Sequence, residues 1–258
     1  MYSDRFLDKK VTKRLDREMQ ALIDRVGVDR KTLDEVFDKS TLLGLEKLIS
    51  KRIIDILDFP ISTGKEGNVF RGVTPDKEYV AIKIYRTSTS TFKHISHYII
   101  GDPRFQSMHK NRRGIVFLWT KKEFKNLERL HGAKVKAPKP ITKINNILVM
   151  EYIGDSKGAA PMLRDVKLEN PESTFSTLID FISRMYKKAN LVHGDMSAFN
   201  ILMHKNQPYI IDIGQGVLLE HPQAHEFLKR DIHNIVQFFK KYDIEANETE
   251  IYTNVTKK

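Results

Sequence analysis

Apolar positions change their period along the chain, and each change marks a different kind of element. Over residues 4–57 they recur at helical spacing, first Val11, Leu15, Met19, Leu22 and Ile23, then Leu42, Leu45, Leu48, Ile49, Ile53 and Ile56. Pro60 is expected to stop that helical segment. From Ile61 to Tyr85 the pattern becomes a hairpin: a glycine-containing turn, a run from Asn68 to Val73, a Thr74-Pro75-Asp76-Lys77 turn, and a second run from Tyr79 to Tyr85. Residues 86–113 are Ser, Thr, His and basic side chains around Gly101-Asp102-Pro103, too polar for a core and long for a connection, which reads as a mobile or functional loop.

A helix over 115–131 follows, with Phe117, Thr120, Phe124, Leu127 and Leu130 along one side. Strands are expected at Ile141–Ile144 and Ile147–Tyr152, and helices at Phe175–Lys188 and His225–Phe239. The polar end, Asp243 to Lys258, is expected to fray. The pattern is α+β. It divides into a helical segment (1–57), a β-rich unit carrying the 86–113 insertion (58–153), a mainly helical unit (154–242) and a polar tail (243–258).

Composition narrows the setting. With 258 residues, 40% of them hydrophobic, the chain can bury a core as one large domain or two small lobes. It has no cysteine, which excludes disulfides, thiolate zinc sites and a cysteine nucleophile and fits a reducing compartment. There is no apolar run of about 18 residues to span a membrane, and Met1-Tyr2-Ser3-Asp4-Arg5 opens no signal-peptide core. A cytoplasmic protein without a membrane partner is expected.

Forty-four Lys and Arg against thirty-three acids give a formal net charge of +11, a field that draws polyanions. Basic clusters at Lys83 to Lys93, His109 to Arg113 and Lys134 to Lys143 point to nucleic acid or a ribonucleoprotein; a solvated basic surface is the competing reading. With no RNP, KH or zinc-finger signature, contact to the phosphate backbone is the claim the sequence supports.

Four fragments then fall in one order. Val80-Ala81-Ile82-Lys83 comes first, His193-Gly194-Asp195 with Asn200 five residues after the aspartate comes next, and Asp212 closes the apolar run Tyr209-Ile210-Ile211. A strand lysine, a loop Asp with an Asn five residues on, and a second Asp after a strand are the parts that transfer the γ-phosphoryl of ATP. In that reading Lys83 grips phosphate, Asp195 orients or deprotonates the acceptor, and Asn200 and Asp212 hold magnesium (manganese is the alternative).

The other binding positions follow from these. Ser62-Thr63-Gly64-Lys65-Glu66-Gly67-Asn68-Val69 sits where a phosphate-covering loop belongs, keeping the last two glycines and the valine of G-x-G-x-x-G-x-V with Ser62 in the first glycine's place. A P-loop is excluded, because Phe59 replaces its first glycine and Glu66 its magnesium-binding hydroxyl. Val80, Ile82 and Ile84 leave Lys83 on a face with Ala81 and Tyr85, where it needs an anionic partner. Glu123, on the Thr120, Leu127 and Leu130 side of its helix, is the first choice and Glu128 the second. Ile147 to Gly154 reads as a buried strand entering a connector, with Met150 behind a nucleobase pocket and the Glu151 carbonyl and Ile153 N–H facing the adenine edge. His193 is read as a packed side chain that buttresses the loop. Candidate phospho-acceptors are Asp212 and, in the insertion, Ser107 and the Thr87 to Thr91 run.

The segments Ser62 to Phe70, Leu191 to Asn200 and Ile210 to Val217 together resemble the RIO family of atypical serine/threonine protein kinases, most like its first subfamily, over roughly residues 40–242. The resemblance implies a bilobal protein-kinase-like fold, an ATP and magnesium site, and a role in maturing the small ribosomal subunit, with its precursor or rRNA as partner. It implies Asp195 as catalytic aspartate, Asn200 and Asp212 as metal ligands and Lys83 as phosphate lysine, and Gln215 fits its pattern. Only about a dozen residues separate Asp212 from the last helix, no Ala-Pro-Glu motif is present, and Gly194 stands where an arginine would clamp a phosphorylated activation loop. The parts for activation-loop switching and peptide docking are therefore missing, and slow ATP hydrolysis used as a switch is one form the reaction could take. A small-molecule phosphotransferase of the aminoglycoside or choline kinase type, and a scaffold that binds rRNA and keeps ATP as a structural ligand, are the alternatives.

Overall fold

The computed structural model describes residues 37–64, 67–87, 98, 104 and 112–257. The helical periodicity of residues 4–36 and most of the 86–113 insertion lie outside the described residues.

Helix α1 (Lys39–Ser50) starts where Asp38 accepts hydrogen bonds from the backbone N–H and hydroxyl of Thr41, both at 2.8 Å. It ends at Ser50 rather than continuing to residue 57. Ile56 opens a strand instead, β1 (Ile56–Thr63), and Pro60 lies inside it at an irregularity of the ladder. An edge strand tolerates a residue without an N–H, and β1 is the edge of its sheet. Ile53 thus belongs to a turn and packs on the α1 core together with Leu57 of the strand, whereas Ile56 is exposed.

Strands β2 (Gly67–Val73) and β3 (Tyr79–Tyr85), then β4 (Pro140–Ile144) and β5 (Ile147–Glu151), complete an antiparallel sheet in the order β1-β2-β3-β5-β4. One face packs on α1. Leu45 and Leu48 of the helix meet Phe70, Val80, Ile82, Ile84, Ile147 and Val149. Gly44 lets the helix approach closely, because a Cβ there would fall 2.8 Å from Cδ1 of Ile147. Truncating a fully buried aliphatic here, such as Leu48, would cost about 2–5 kcal/mol.

Helix α2 (Arg112–Gly132) crosses the opposite face. The second lobe is built on α3 (Pro171–Ala189), capped by Asn170 and closed by Asn190 in the left-handed region, and on α4 (Ala224–Phe239). Two short ladders, β6 (Leu191–Val192) with β9 (Val217–Leu218) and β7 (Ile201–His204) with β8 (Gln207–Ile210), lie against them. The end of the chain is ordered, against expectation. Asn247 accepts from the N–H groups of Thr249 and Glu250 to start α5 (Glu248–Thr256), and Val255 buries itself in the core. A polar sequence reads as a tail when its capping residue and single apolar anchor are too sparse to give a period. The result is a small sheet lobe and a mainly helical lobe with a cleft between them.

Candidate active site

Lys83 occupies the middle of β3, opposite Val69 on β2 and Leu148 on β5. Val80, Ile82 and Ile84 face α1, so strand parity turns Lys83 with Ala81 to the other side, onto the cleft. Its Nζ donates to Oε1 of Glu123 at 2.9 Å and to Oδ1 of Asp212 at 2.8 Å. Glu123 is buried, while Glu128 faces solvent and pairs with Lys125 at 2.7 Å. Burial by itself would lower the Lys83 pKa; the charges of Asp212 and Glu123 outweigh it and hold the ammonium above its ordinary range. The Lys83 charge in turn keeps the half-exposed Asp212 carboxyl below the usual carboxylate range, against its partial desolvation. Asp212 sits in the left-handed region, φ 58 and ψ 51, at the start of a short helical turn, Ile213–Gln215.

Asp195 lies on the loop between β6 and β7. Asn200 donates from Nδ2 to the Asp195 carbonyl at 2.8 Å and to its Oδ2 at 3.2 Å, and Gln215 donates to the same Oδ2 at 3.4 Å. These bonds set the Asn200 amide so that its carbonyl oxygen turns away from Asp195. Burial, and then the Asp212 charge, push the Asp195 pKa up against the Asn200 hydrogen bond. His193 is fully buried: one ring nitrogen meets the Ile211 carbonyl at 3.1 Å and the other accepts from the Asp195 N–H at 3.3 Å. Burial lowers its pKa from 6.5 to about 4, so the ring is neutral near pH 7 and carries its proton on Nε2. It joins the Asp195 loop to the segment that delivers Asp212.

Behind the loop stands Asp231 of α4. Its carboxyl accepts from the N–H groups of Gly194 and Met196, both at 2.8 Å, and burial pushes its pKa up to about 7 against those two bonds. Arg230 donates to the Gly194 carbonyl and Asn234 to the Met196 carbonyl, the latter at 3.0 Å. Gly194 has φ +79, a conformation that an arginine side chain would adopt only with strain. The sequence reading did not single out these α4 residues. A signal was available, because Asp231 shares the apolar stripe of Leu228, Ile232 and Ile235, where a carboxylate needs a reason.

A cleft of about 670 Å³ joins these parts. Ser62, Gly64, Gly67 and Val69 line it from β1 and β2, Lys83 and Glu123 from behind, Met150, Glu151 and Ile153 along the connector, and Asn200, Asp212 and Gln215 from the second lobe. Asp195 is held just off this lining through Asn200 and Gln215. Lys65 and Ser107 lie outside the described residues. A Cβ on Gly67 would stand 2.5 Å from the Ile84 carbonyl oxygen, so the packing of β2 on β3 by itself requires glycine there.

The Asn200 carbonyl and the Asp212 carboxylate are hard oxygen donors suited to magnesium, which takes one or two protein ligands and completes its shell with water and phosphate oxygens. Among the described residues no group of three or more His, Asp or Glu forms an all-protein metal cage. No helix among them is long and apolar enough to cross a membrane.

Fold and cleft together define a protein-kinase-like chain. The RIO domain family model matches residues 68–251, and the chain belongs to the RIO family of kinases. It is 39% identical over 249 residues to the RIO-type serine/threonine-protein kinase Rio1 of Haloferax volcanii, covering 96% of this chain and 86% of that protein. Identity to the Methanocaldococcus jannaschii Rio1 kinase is 37% over 259 residues, 99% of this chain and 89% of that one. The human serine/threonine-protein kinase RIO1 is 37% identical over 246 residues, 94% of this chain and 43% of the longer human protein. Among solved structures, the Rio2 kinase from Chaetomium thermophilum in an ADP/Mg2+-phosphoaspartate complex shares the fold, with TM-score 0.66 and 19% identity over 98% of this chain and 90% of that one.

Proposed function

We propose that this RIO kinase transfers the γ-phosphoryl of ATP to serine or threonine hydroxyls, itself among the acceptors, with magnesium as the metal. The observation that carries the reading is the Lys83 ammonium set between Glu123 at 2.9 Å and Asp212 at 2.8 Å in the wall of a nucleotide-sized cleft. Val69, Ala81 and Met150 offer apolar contact to a nucleobase, and the connector backbone at Glu151 and Ile153 offers its polar edge a donor and an acceptor. Lys83 positions the phosphates. Asn200 and Asp212 would hold the metal, which would supply positive charge to neutralise the triphosphate. Asp195, with its raised pKa, accepts the hydroxyl proton of the acceptor as the new bond forms.

The small ribosomal subunit precursor or its rRNA is the proposed partner, supported by the formal charge of +11. ATP hydrolysis is the proposed switch on that particle, and Ser107 and Asp212 are the proposed sites of self-phosphorylation. Incubation with γ-labelled ATP, generic protein acceptors, aminoglycosides and choline tests the reading. Label on protein is the expected result. Label on a small molecule would make the chain a small-molecule phosphotransferase, and no label or phosphate release at all would make it a nucleotide-binding scaffold.

A further inference from the structure

Helix α2 presents two working faces. One carries Glu123 to Lys83. A second, spread from about 40 to about 100 degrees round the helix from Glu123, is the stripe Trp119, Lys122 and Asn126, and each member is buried. Lys122 is wholly buried, and its Nζ donates to the Gly214 carbonyl at 2.8 Å. Asn126 donates from one amide nitrogen to the carbonyls of Ile213 at 2.8 Å and Gly216 at 2.9 Å, while Arg104 donates to its Oδ1 at 2.9 Å. The Trp119 ring packs so closely on Gly214 that a Cβ there would meet three ring atoms at 3.0 Å. Three carbonyls of one short turn, the turn that begins at Asp212, are thus captured by the helix that carries Glu123.

We propose that Lys122 and Asn126 are positioning residues for the phosphoryl-transfer site, which set the Asp212 carboxylate by fixing the turn that follows it. Burying an ammonium carries a large desolvation penalty, and a methionine would fill the same space without it. The lysine is intelligible where a strong donor is required at a carbonyl oxygen. Asp212 itself has a left-handed backbone, a conformation that persists when its surroundings over-determine it. The 213–216 bonds do so. They also join Glu123 and Asp212, the two partners of Lys83, into one body, so the site is assembled without the activation segment that the sequence lacks between Asp212 and α4.

This rests on the reading of Asp212 as a metal ligand, and the test keeps the two apart. Lys122→Met preserves volume and removes the donor, Asn126→Ala removes the other two bonds to the turn together with the acceptor of Arg104, and Leu127→Ala is the control. Leu127 is a buried core residue of the same helix, and its truncation destabilises while leaving the Lys122 and Asn126 bonds to the three carbonyls in place. In the metal-free and nucleotide-free protein, amide hydrogen exchange over residues 213–218 should accelerate in both Lys122→Met and Asn126→Ala and not in Leu127→Ala. In the loaded enzyme, kcat should fall and the magnesium needed for half-saturation should rise, each by about 10–100-fold, at a temperature where all variants are folded. Unchanged exchange at 213–218 in both variants overturns the proposal, as does an equal acceleration in Leu127→Ala. If Lys122→Met does not fold, Asn126→Ala decides alone. Should exchange accelerate while the magnesium requirement stays put, the turn is clamped but does not position a ligand, and the proposal fails at that step. Loss of the Asp212 reading would show separately, as an Asp212→Asn variant whose nucleotide binding is equally weak with and without magnesium.

Discussion

The N–H of Met196 donates to Oδ1 of Asp231 at 2.8 Å, across 35 residues of sequence. With the matching bond from Gly194 to Oδ2, a single α4 carboxyl holds the N–H groups of both residues that flank Asp195. An amide can accept only one of these two bonds and would turn its NH2 toward the other N–H. Asp231→Asn should therefore cost about 1–3 kcal/mol of stability, the penalty of a buried donor left unsatisfied. Because the loop carries Asp195, the proposed acceptor-side aspartate, and does not line the cleft through that residue, kcat should fall while ADP affinity holds within a few-fold. Urea unfolding and calorimetry check both; a variant with lost nucleotide affinity would show that Asp231 supports the cleft as a whole.

Variants at Lys83 test stability and the proposed phosphate grip separately. Lys83→Met withdraws the ammonium from two carboxylates, one buried and one half-exposed. A loss of about 3 kcal/mol is expected, near the low end for a buried pair because Asp212 keeps solvent contact. Adding Glu123→Gln in the same chain removes the buried negative charge and should recover part of that stability, yet no turnover. Recovery of turnover in the double variant would mean that Lys83 does not grip phosphate.

How much of this was legible in the sequence depends on how local the determining interaction is. The turn of Lys83 toward the cleft follows from the alternation Val80, Ile82, Ile84, and its pairing with Glu123 follows from a helix stripe. Both are short-range patterns. Asp231 left a trace, a carboxylate in an apolar stripe, but its partners, like those of Lys122 and Asn126, were not legible, because these bonds go to backbone groups dozens of residues away, and backbone groups leave no mark in side-chain identity. Pro60 misled for a related reason. Its missing N–H signals an end to regular structure only if a partner strand needs that hydrogen bond, and at the sheet edge none does.

His193 gives the protein a pH dependence with a defined sign. Burial lowers its pKa from 6.5 to about 4 in the folded chain, so between these values the unfolded state binds more protons. Stability is then fully present above about pH 6.5 and is lost as pH falls through about 4, by roughly 2–3 kcal/mol between pH 7 and pH 4.5. Asp231 acts in the opposite sense over an overlapping range, since its folded pKa is raised to about 7 and its contribution is lost as pH rises. The His193 effect is therefore read as the difference between wild type and His193→Gln. That difference should shrink on acidification; a constant one would mean the ring is protonated in the folded state.

Asp195→Ala should remove about 10²–10⁴-fold of the rate and leave ATP affinity within a few-fold, because the carboxylate stands just off the cleft lining, tied to Asn200 and Gln215. Single-turnover transfer from labelled ATP measures the first, calorimetry the second. Undiminished transfer would remove Asp195 from the mechanism.

The basic surface makes the last prediction. Lys143 on β4 has its pKa lowered by partial burial and then by the like charges of Lys121 and Lys125 on α2, with Glu128, the partner of Lys125, acting the other way, so three ammonium groups and one carboxylate gather beside the sheet lobe. Like charges crowd at a cost, and a phosphate backbone relieves it. If the partner is small-subunit rRNA, each phosphate these groups neutralise releases a counterion, and affinity should fall with salt by a log–log slope of about 0.7–0.9 per contact. Replacing Lys121, Lys125 and Lys143 together by Gln should lower that slope by about two to three while leaving ADP binding unchanged, since none of the three lines the cleft. The Lys110, Arg112 and Arg113 group, changed in a second variant, should lower it further. Titration of structured rRNA at several salt concentrations gives the slopes directly. Tight binding that ignores salt, or no binding at low salt, would dismiss the polyanion partner and leave the phosphoryl-transfer site untouched.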